Sequence, residues 1–200
     1  MMSDLPAVVP AVTPAVPSAV TPAVTATVVP AATKPTLRWM LGHPARIIAF
    51  GAGSGLLKPG PGTWGTLFAW ITFAPMAAWF QGVAGLPGAA ILGLPVAAFL
   101  LGIWACGRAA RDLGIADPGG IVWDEVAAFW LVLALMPAGP GAWGAQLAAF
   151  GLFRFFDIVK PPPIRQFDAN LKGGFGVMFD DLLAAFYTLL VIALWTRWTA

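Results

Sequence analysis

Two pairs of adjacent carboxylates stand at the edges of apolar segments in this sequence. Asp124 and Glu125 open IVWDEVAAFWLVLALMP, and Asp180 and Asp181 precede LLAAFYTLLVIALW. One acid is enough to cap a helix at the positive end of its dipole, so capping accounts for one member of each pair and not for both. With Asp180 as the predicted N-cap of the last helix and Asp181 as its first residue, the second acid of that pair stays available to a metal ion.

A third cluster, FRFFDIVKPPPIRQFD, mixes acids with cations. Arg154 and Asp157 are three residues apart and share a helix face, where a simple ion pair explains them. Lys160 precedes three prolines, which end the helix and force an extended exit. Arg165 and Asp168 follow in an interfacial loop or short helix. The cluster is either a solvated charged rim or a site where acids hold a metal and cations hold an anion.

A loop rich in glycine and proline, GAGSGLLKPGPGTWGT, precedes the first long apolar segment. It lacks the G-K-[ST] ending of a P-loop, so a nucleoside triphosphate site is not supported. Its backbone amides, with Ser54, Lys58 and Thr63, are able to cradle a phosphate loosely. A simple hinge at the membrane surface explains the loop equally well.

The available donor atoms favour a hard cation. Carboxylates are numerous, whereas His43 is the only histidine and Cys106 the only cysteine. Oxygen ligands suit Mg²⁺, which binds through a few carboxylates together with substrate phosphate. Lysines and arginines beside the acids suit an anionic substrate. At a membrane surface this combination indicates phosphoryl chemistry on a phospholipid head group.

The composition predicts that the elements carrying these residues are membrane helices. Of the 200 residues, 59% are hydrophobic and only 10% charged, against about 45–50% and about 25% in soluble domains. The net charge of +2 gives no reason to expect nucleic acid as a partner, and one cysteine excludes an internal disulfide. Nothing in the composition indicates an oligomeric state.

We therefore predict an all-α, polytopic membrane helix bundle of about four to five spans, with interfacial loops or short helices on the cytoplasmic face. Residues 1–36, rich in Ala, Val, Thr and Pro, are predicted to be a disordered tail, and residues 37–200 the membrane-embedded domain. The candidate spans are residues 66–80 with their flanks, 88–107, 121–137, 142–159 and 182–195.

The cations predict the orientation of these spans. With the N-terminus in the cytoplasm, five spans satisfy the positive-inside rule at every loop except for the terminal Arg197. In the same topology every acid beyond the tail lies on the cytoplasmic side, namely Asp112, Asp117, Asp124, Glu125, Asp157, Asp168, Asp180 and Asp181. Any chemistry is therefore expected at one membrane surface.

Four blocks in order, GSGLLKPGPGTWGT, IVWDE, FRFFDIVKPPPIRQFD and GGFGVMFDD, resemble the bacterial phosphatidylglycerophosphatase A family. The similarity extends over nearly all of the chain beyond the tail. It implies a Mg²⁺-dependent enzyme of the bacterial inner membrane, with its active site facing the cytoplasm. Such an enzyme removes the terminal phosphate of phosphatidylglycerophosphate, an anionic phospholipid, and yields phosphatidylglycerol and phosphate.

Together with the resemblance, the blocks give each candidate residue a role. The predicted Mg²⁺ ligands are Asp124, Glu125, Asp157 and Asp181; the predicted catalytic carboxylates are Asp168 and Asp180; the predicted phosphate-binding residues are Lys58, Thr63, Arg154, Lys160 and Arg165. The glycines of GGFG are expected to let the lipid phosphate come close. Spacing leaves open which carboxylate activates water.

The sequence departs from the family's pattern next to these glycines. Ala169 and Lys172 stand where the family commonly shows an arginine and a histidine. The missing histidine is therefore not an indispensable proton donor, unless Lys172 replaces it.

Two other functions fit the carboxylates. A divalent-cation transporter also needs membrane carboxylates, but would place them near the bilayer midplane on broken helices. A non-catalytic membrane scaffold would tolerate loss of all of them.

Overall fold

A computed structural model describes residues 34–84, 91–115, 118–136 and 140–199. Within these ranges the chain folds into helices, 3₁₀ turns and loops, without a strand, which confirms the predicted all-α class. Nearly all of the predicted tail and Asp117 lie outside the described residues. The division of the chain at residue 36 stays a prediction.

The α-helices of the described ranges, in chain order, are α1 (Leu37–Leu41), α2 (Pro44–Ala49), α3 (Pro61–Ala84), α4 (Gly93–Leu113), α5 (Trp123–Ala134), α6 (Trp143–Val159), α7 (Ile164–Asn170) and α8 (Gly173–Thr199). One 3₁₀ segment (Gly51–Leu56) joins α2 to the loop before α3, and another (Pro140–Ala142) leads into α6.

Two of these helices, α4 with 21 residues and α8 with 27, are long and apolar enough to cross a membrane. Both carry large apolar side chains on their outer faces at intervals of four residues, with Val96, Leu100 and Trp104 on α4 and Phe186, Leu190 and Leu194 on α8. Such a stripe suits contact with lipid. The count of four to five spans stays a prediction, because α5 has only 12 residues and a span needs about 20.

The short helix α5 lies at the centre of the bundle, packed against α3, α4 and α8. Its interior position explains why it is apolar around most of its circumference. The indole N–H of Trp123 donates to the carbonyl of Ala98 on α4 (2.9 Å), and that of Trp130 donates to the carbonyl of Ala69 on α3 (3.0 Å). These bonds satisfy polar atoms in an apolar core and tie α5 to both neighbours.

Glycines allow α4 and α8 to approach each other backbone to backbone. A Cβ atom on Gly174 would collide with the carbonyl oxygen of Ile103, and one on Gly107 would press on the backbone of Gly174. Gly102 gives room to the side chain of Met178 in the same interface. Small residues at such a crossing bring two helix axes close together, as is common between membrane helices.

We expect Gly174→Ala to destabilise the protein because backbone atoms must move to admit the new methyl group. Overpacking of this kind costs about 1–3 kcal/mol, which corresponds to a loss of several degrees in melting temperature for a chain of this size. Thermal unfolding in detergent measures the effect. Gly151→Ala on α6 is the matched control, since a Cβ there meets no atom within 4 Å; an equal loss in both variants would contradict the tight crossing.

Candidate active site

One cavity of about 390 Å³ lies where the start of α5, the end of α6, the short α7 and the first turns of α8 meet. Its lining contains every acid to which the sequence assigned a role, namely Asp124, Glu125, Asp157, Asp168, Asp180 and Asp181. Lys160 and Lys172 also line it. Residues up to 57 positions apart in the sequence thus share one polar chamber.

The glycine-rich stretch predicted as a loop holds the start of α5 in place, although its residues 61–66 already belong to α3. A Cβ on Gly55 would overlap the carbonyl of Gly120, and one on Gly65 would overlap the side chain of Val122. The amide of Val122 also donates to the carbonyl of Ala49 (2.9 Å). The loop therefore packs directly against the residues that lead into Asp124, and it fixes where the first carboxylate pair enters the cavity.

The second carboxylate pair lies inside a helix, so its predicted role as a helix cap is wrong. α8 begins at Gly173, which places Asp180 and Asp181 about two turns into the helix. Of the glycines before them, Gly174 and Gly176 pack the helix closely, whereas Gly173 begins the helix with a φ of +75° and has open space where a Cβ would lie. Gly174 faces α4, and Gly176 closely approaches the carbonyl of Leu171, although Gly173 and Gly176 do line the cavity.

Three carboxylates converge in the cavity at the spacing that a metal ion requires. One oxygen each from Asp124, Glu125 and Asp181 lies within 4.8 Å of the others. Glu125 is 8% exposed and Asp181 only 3%. Asp124 Oδ1, Glu125 Oε2 and Asp181 Oδ2 are buried without a hydrogen-bond partner. Buried anionic oxygens without partners are costly, so this donor set fits a bound cation.

Arg154 lies behind these carboxylates instead of in the cavity lining. Its Nη1 atom is 2.5 Å from Asp157 Oδ2 and 3.5 Å from Glu125 Oε1. Gly62 lies in the first turn of α3, and a Cβ atom on it would collide with both the Glu125 carboxylate and the Arg154 guanidinium. The arginine thus orients two acids, and the first turn of α3 closes the cluster from behind. Its predicted contact with substrate phosphate stays a prediction.

Lys160 joins three elements of the site. It follows α6 in a left-handed backbone conformation (φ 46°, ψ 61°), which is uncommon for a residue with a side chain. Its Nζ donates to Asp180 Oδ2 on α8 (2.6 Å) and lies 3.2 Å from Asp168 Oδ1 on α7. The uncommon backbone conformation at the end of α6 thus occurs at the residue whose ammonium group contacts two carboxylates.

The charge of Lys160 is held by these partners. Burial alone would lower the pKa of Lys160, but the hydrogen bond to Asp180 and the charges of Asp180 and Asp168 outweigh it and raise the pKa above its usual value. The ammonium group therefore stays charged throughout the neutral range. It is a permanent positive charge at the wall of the cavity.

Like Arg154, three other predicted phosphate-binding residues do not line the cavity, so Lys160 is the one member of the predicted set in its lining. Lys58 and Thr63 lie exposed around the start of α3, and Arg165 is exposed on α7. Their predicted roles are untested by this geometry. Lys172 lines the cavity but was not among the predicted phosphate-binding residues. Two signals in the sequence marked it: its position directly before the double glycine, and its place where the family commonly shows a histidine.

The comparison with protein families decides what kind of chain this is. The sequence profile described as Phosphatidylglycerophosphatase A matches residues 47–196, which include every acid of the cavity. The chain belongs to the phosphatidylglycerophosphatase A family. The resemblance noted in the four sequence blocks is thereby confirmed.

Individual relatives agree with this membership. The phosphatidylglycerophosphatase A of Haemophilus influenzae is 43% identical over 164 residues, covering 79% of this chain and 92% of the relative. The phosphatidylglycerophosphatase A of Escherichia coli K12 is 37% identical over 147 residues, covering 74% and 80%. A Bacteroides thetaiotaomicron protein named "Putative phosphatidylinositol-3-phosphatase" is 40% identical over 156 residues, covering 76% and 92%. No solved structure gives a significant match to the chain.

Proposed function

We propose that this chain hydrolyses the terminal phosphate monoester of phosphatidylglycerophosphate and releases phosphatidylglycerol and phosphate, a step of glycerophospholipid biosynthesis. Family membership over residues 47–196 is the observation that carries the proposal. The cavity supports it, because six carboxylates and two lysines make a site for a metal ion and a phosphate group.

We infer that the resident metal is Mg²⁺, held by Asp124, Glu125 and Asp181. The donors are all carboxylate oxygens, which hard cations prefer, and three of these oxygens lack any other partner. When bound, Mg²⁺ would polarise the phosphoryl oxygen and neutralise charge that develops on it. Asp157, which the sequence analysis also made a ligand, lines the same cavity but is paired with Arg154.

The chain's own residues would bind and orient the reacting groups. Lys160 presents a fixed positive charge to the non-bridging phosphate oxygens. Asp180 Oδ2 accepts from Lys160, whereas Asp180 Oδ1 is buried without a partner. In the proposed mechanism that free oxygen would accept a proton from the attacking water. Asp168, the other predicted catalytic acid, holds the lysine from α7 and is the more exposed of the two.

The proposed location is the bacterial inner membrane, with the cavity open to the cytoplasm. Two apolar helices of sufficient length support membrane association, and the cations near the predicted cytoplasmic ends of the spans support the orientation. The anionic phospholipid would then meet the cavity at the level of its head group. No feature of the described residues favours the cation transporter, since the carboxylates gather at one end of the bundle.

Phosphate release from defined lipids tests the proposal. We expect the protein, purified in detergent and supplied with Mg²⁺, to release phosphate from phosphatidylglycerophosphate faster than from phosphatidic acid or phosphatidylinositol 3-phosphate. The last substrate is included because of the name of the Bacteroides relative. Preference for phosphatidylinositol 3-phosphate would replace the proposed substrate, and absence of phosphate release from all three would refute a lipid phosphatase.

A further inference from the structure

The basic residues around the cavity differ in whether a carboxylate already holds them. Arg154 is paired with Glu125 and Asp157 from behind the wall. Lys160 is paired with Asp168 and Asp180. In the part of the chain that the structure describes, no carboxylate lies within 4.0 Å of the Lys172 ammonium.

Lys172 makes only one weak polar contact. Its Nζ is 3.5 Å from the main-chain carbonyl of Asp168, a contact at the limit of a hydrogen bond. Its flexible side chain and full charge are therefore available to a ligand in the cavity that it lines.

The charged residues of the lining differ in exposure, and the unpaired lysine is exposed whereas the carboxylates of α8 are buried. Asp181 and Asp180 are 3% and 8% exposed at the inner end, whereas Lys172 is exposed to solvent. Lys160 lies between these extremes, with its side chain 26% exposed. A head group that enters from outside therefore meets Lys172 before it reaches Lys160 and the buried carboxylates.

The proposed substrate carries two phosphates that match this order. Its terminal monoester is the group that reacts, and one glycerol unit separates it from the phosphodiester that joins the head group to the lipid. A monoester bound at the inner carboxylates leaves the phosphodiester nearer the rim, where a free ammonium would offset its negative charge.

We propose that Lys172 binds the phosphodiester of the lipid head group and so acts as a specificity-determining residue. The inference rests on the proposed function and adds to it a second phosphate-binding position. Lys172 would stabilise the bound substrate and the transition state equally. Its loss is therefore expected to raise KM with little effect on kcat.

The two products of the reaction probe the two positions separately. Phosphatidylglycerol keeps the phosphodiester and lacks the monoester, whereas inorganic phosphate stands in for the monoester alone. For Lys172→Ala we expect KM for phosphatidylglycerophosphate and the inhibition constant of phosphatidylglycerol each to rise about tenfold, the size of one exposed charge-assisted contact. The inhibition constant of inorganic phosphate should be unchanged.

Two further variants control for charge. Lys172→Arg keeps the positive charge and should keep both constants within about twofold to threefold of wild type. Arg197→Ala removes an exposed cation from the far end of α8 and should change neither constant.

The outcomes separate this inference from the proposed function. Failure of the wild-type protein to release phosphate from phosphatidylglycerophosphate would refute the proposed function, and the inference with it. An active wild type combined with unchanged constants in Lys172→Ala, or with a raised inhibition constant for inorganic phosphate, would overturn the inference alone.

Discussion

Asp181→Asn is expected to lower kcat for phosphate release about a thousandfold, since a metal ion contributes several kcal/mol to the transition state and each factor of ten corresponds to about 1.4 kcal/mol. Asp181 is the most buried acid of the cavity and reaches both members of the α5 pair. Asparagine keeps the size of the side chain, but it offers one neutral amide oxygen in place of the two charged oxygens of the carboxylate. Steady-state phosphate release at saturating Mg²⁺ measures the loss.

Asp112→Asn is the matched control for this change. Asp112 is also an aspartate on a long apolar helix, but it pairs with Arg46 and Arg108, both at 2.9 Å, outside the cavity. We expect activity within about threefold of wild type, since a partly exposed ion pair contributes little. Activity of Asp181→Asn close to wild type would show that the buried cluster is structural and that catalysis takes place elsewhere.

Removal of Mg²⁺ is expected to abolish turnover and to lower the melting temperature of the wild-type protein. Without a cation, three converging carboxylates repel one another in a buried site. Addition of Mg²⁺ at about a hundred times its dissociation constant should stabilise the fold by about 2.7 kcal/mol. Thermal unfolding in detergent, with EDTA and with increasing Mg²⁺, measures this separately from activity.

The same titration makes a sharper prediction for Asp181→Asn. In EDTA this variant should melt at a higher temperature than wild type, because one of the repelling charges is gone. In saturating Mg²⁺ the order should reverse, because the variant binds the ion weakly. Metal-independent turnover by the wild type, or a melting temperature that does not respond to Mg²⁺, would refute the metal site.

The gathering of the acids at one side could be predicted from their order along the chain. Asp124 and Asp181 each stand near the beginning of an apolar segment and Asp157 near the end of another, so the predicted alternation of spans brings all three to one side. The three prolines after Lys160 likewise predicted the end of α6, and the structure ends the helix at Val159. These conclusions depend on order along the chain and need no knowledge of packing.

The details that the sequence did not predict depend on how the helices pack against one another. The GGFG stretch has the composition of a loop, whereas the structure begins α8 at Gly173 and packs Gly174 against the backbone of Ile103 on α4. The position of Arg154 is similar. Spacing placed it beside Asp157, whereas its pairing with Glu125 on another helix follows from the packing of α6 near α5.

The glycine crossing between α4 and α8 links thermostability to catalysis. Gly174 precedes Asp181 by seven residues, about 10 Å along the axis, and a helix transmits a sideways shift over two turns almost rigidly. Engineering of this interface for a tighter fit would therefore displace a metal ligand, even though no catalytic group is touched. Stabilising substitutions are better directed at the outer face of α6, where Gly144 and Gly151 border open space.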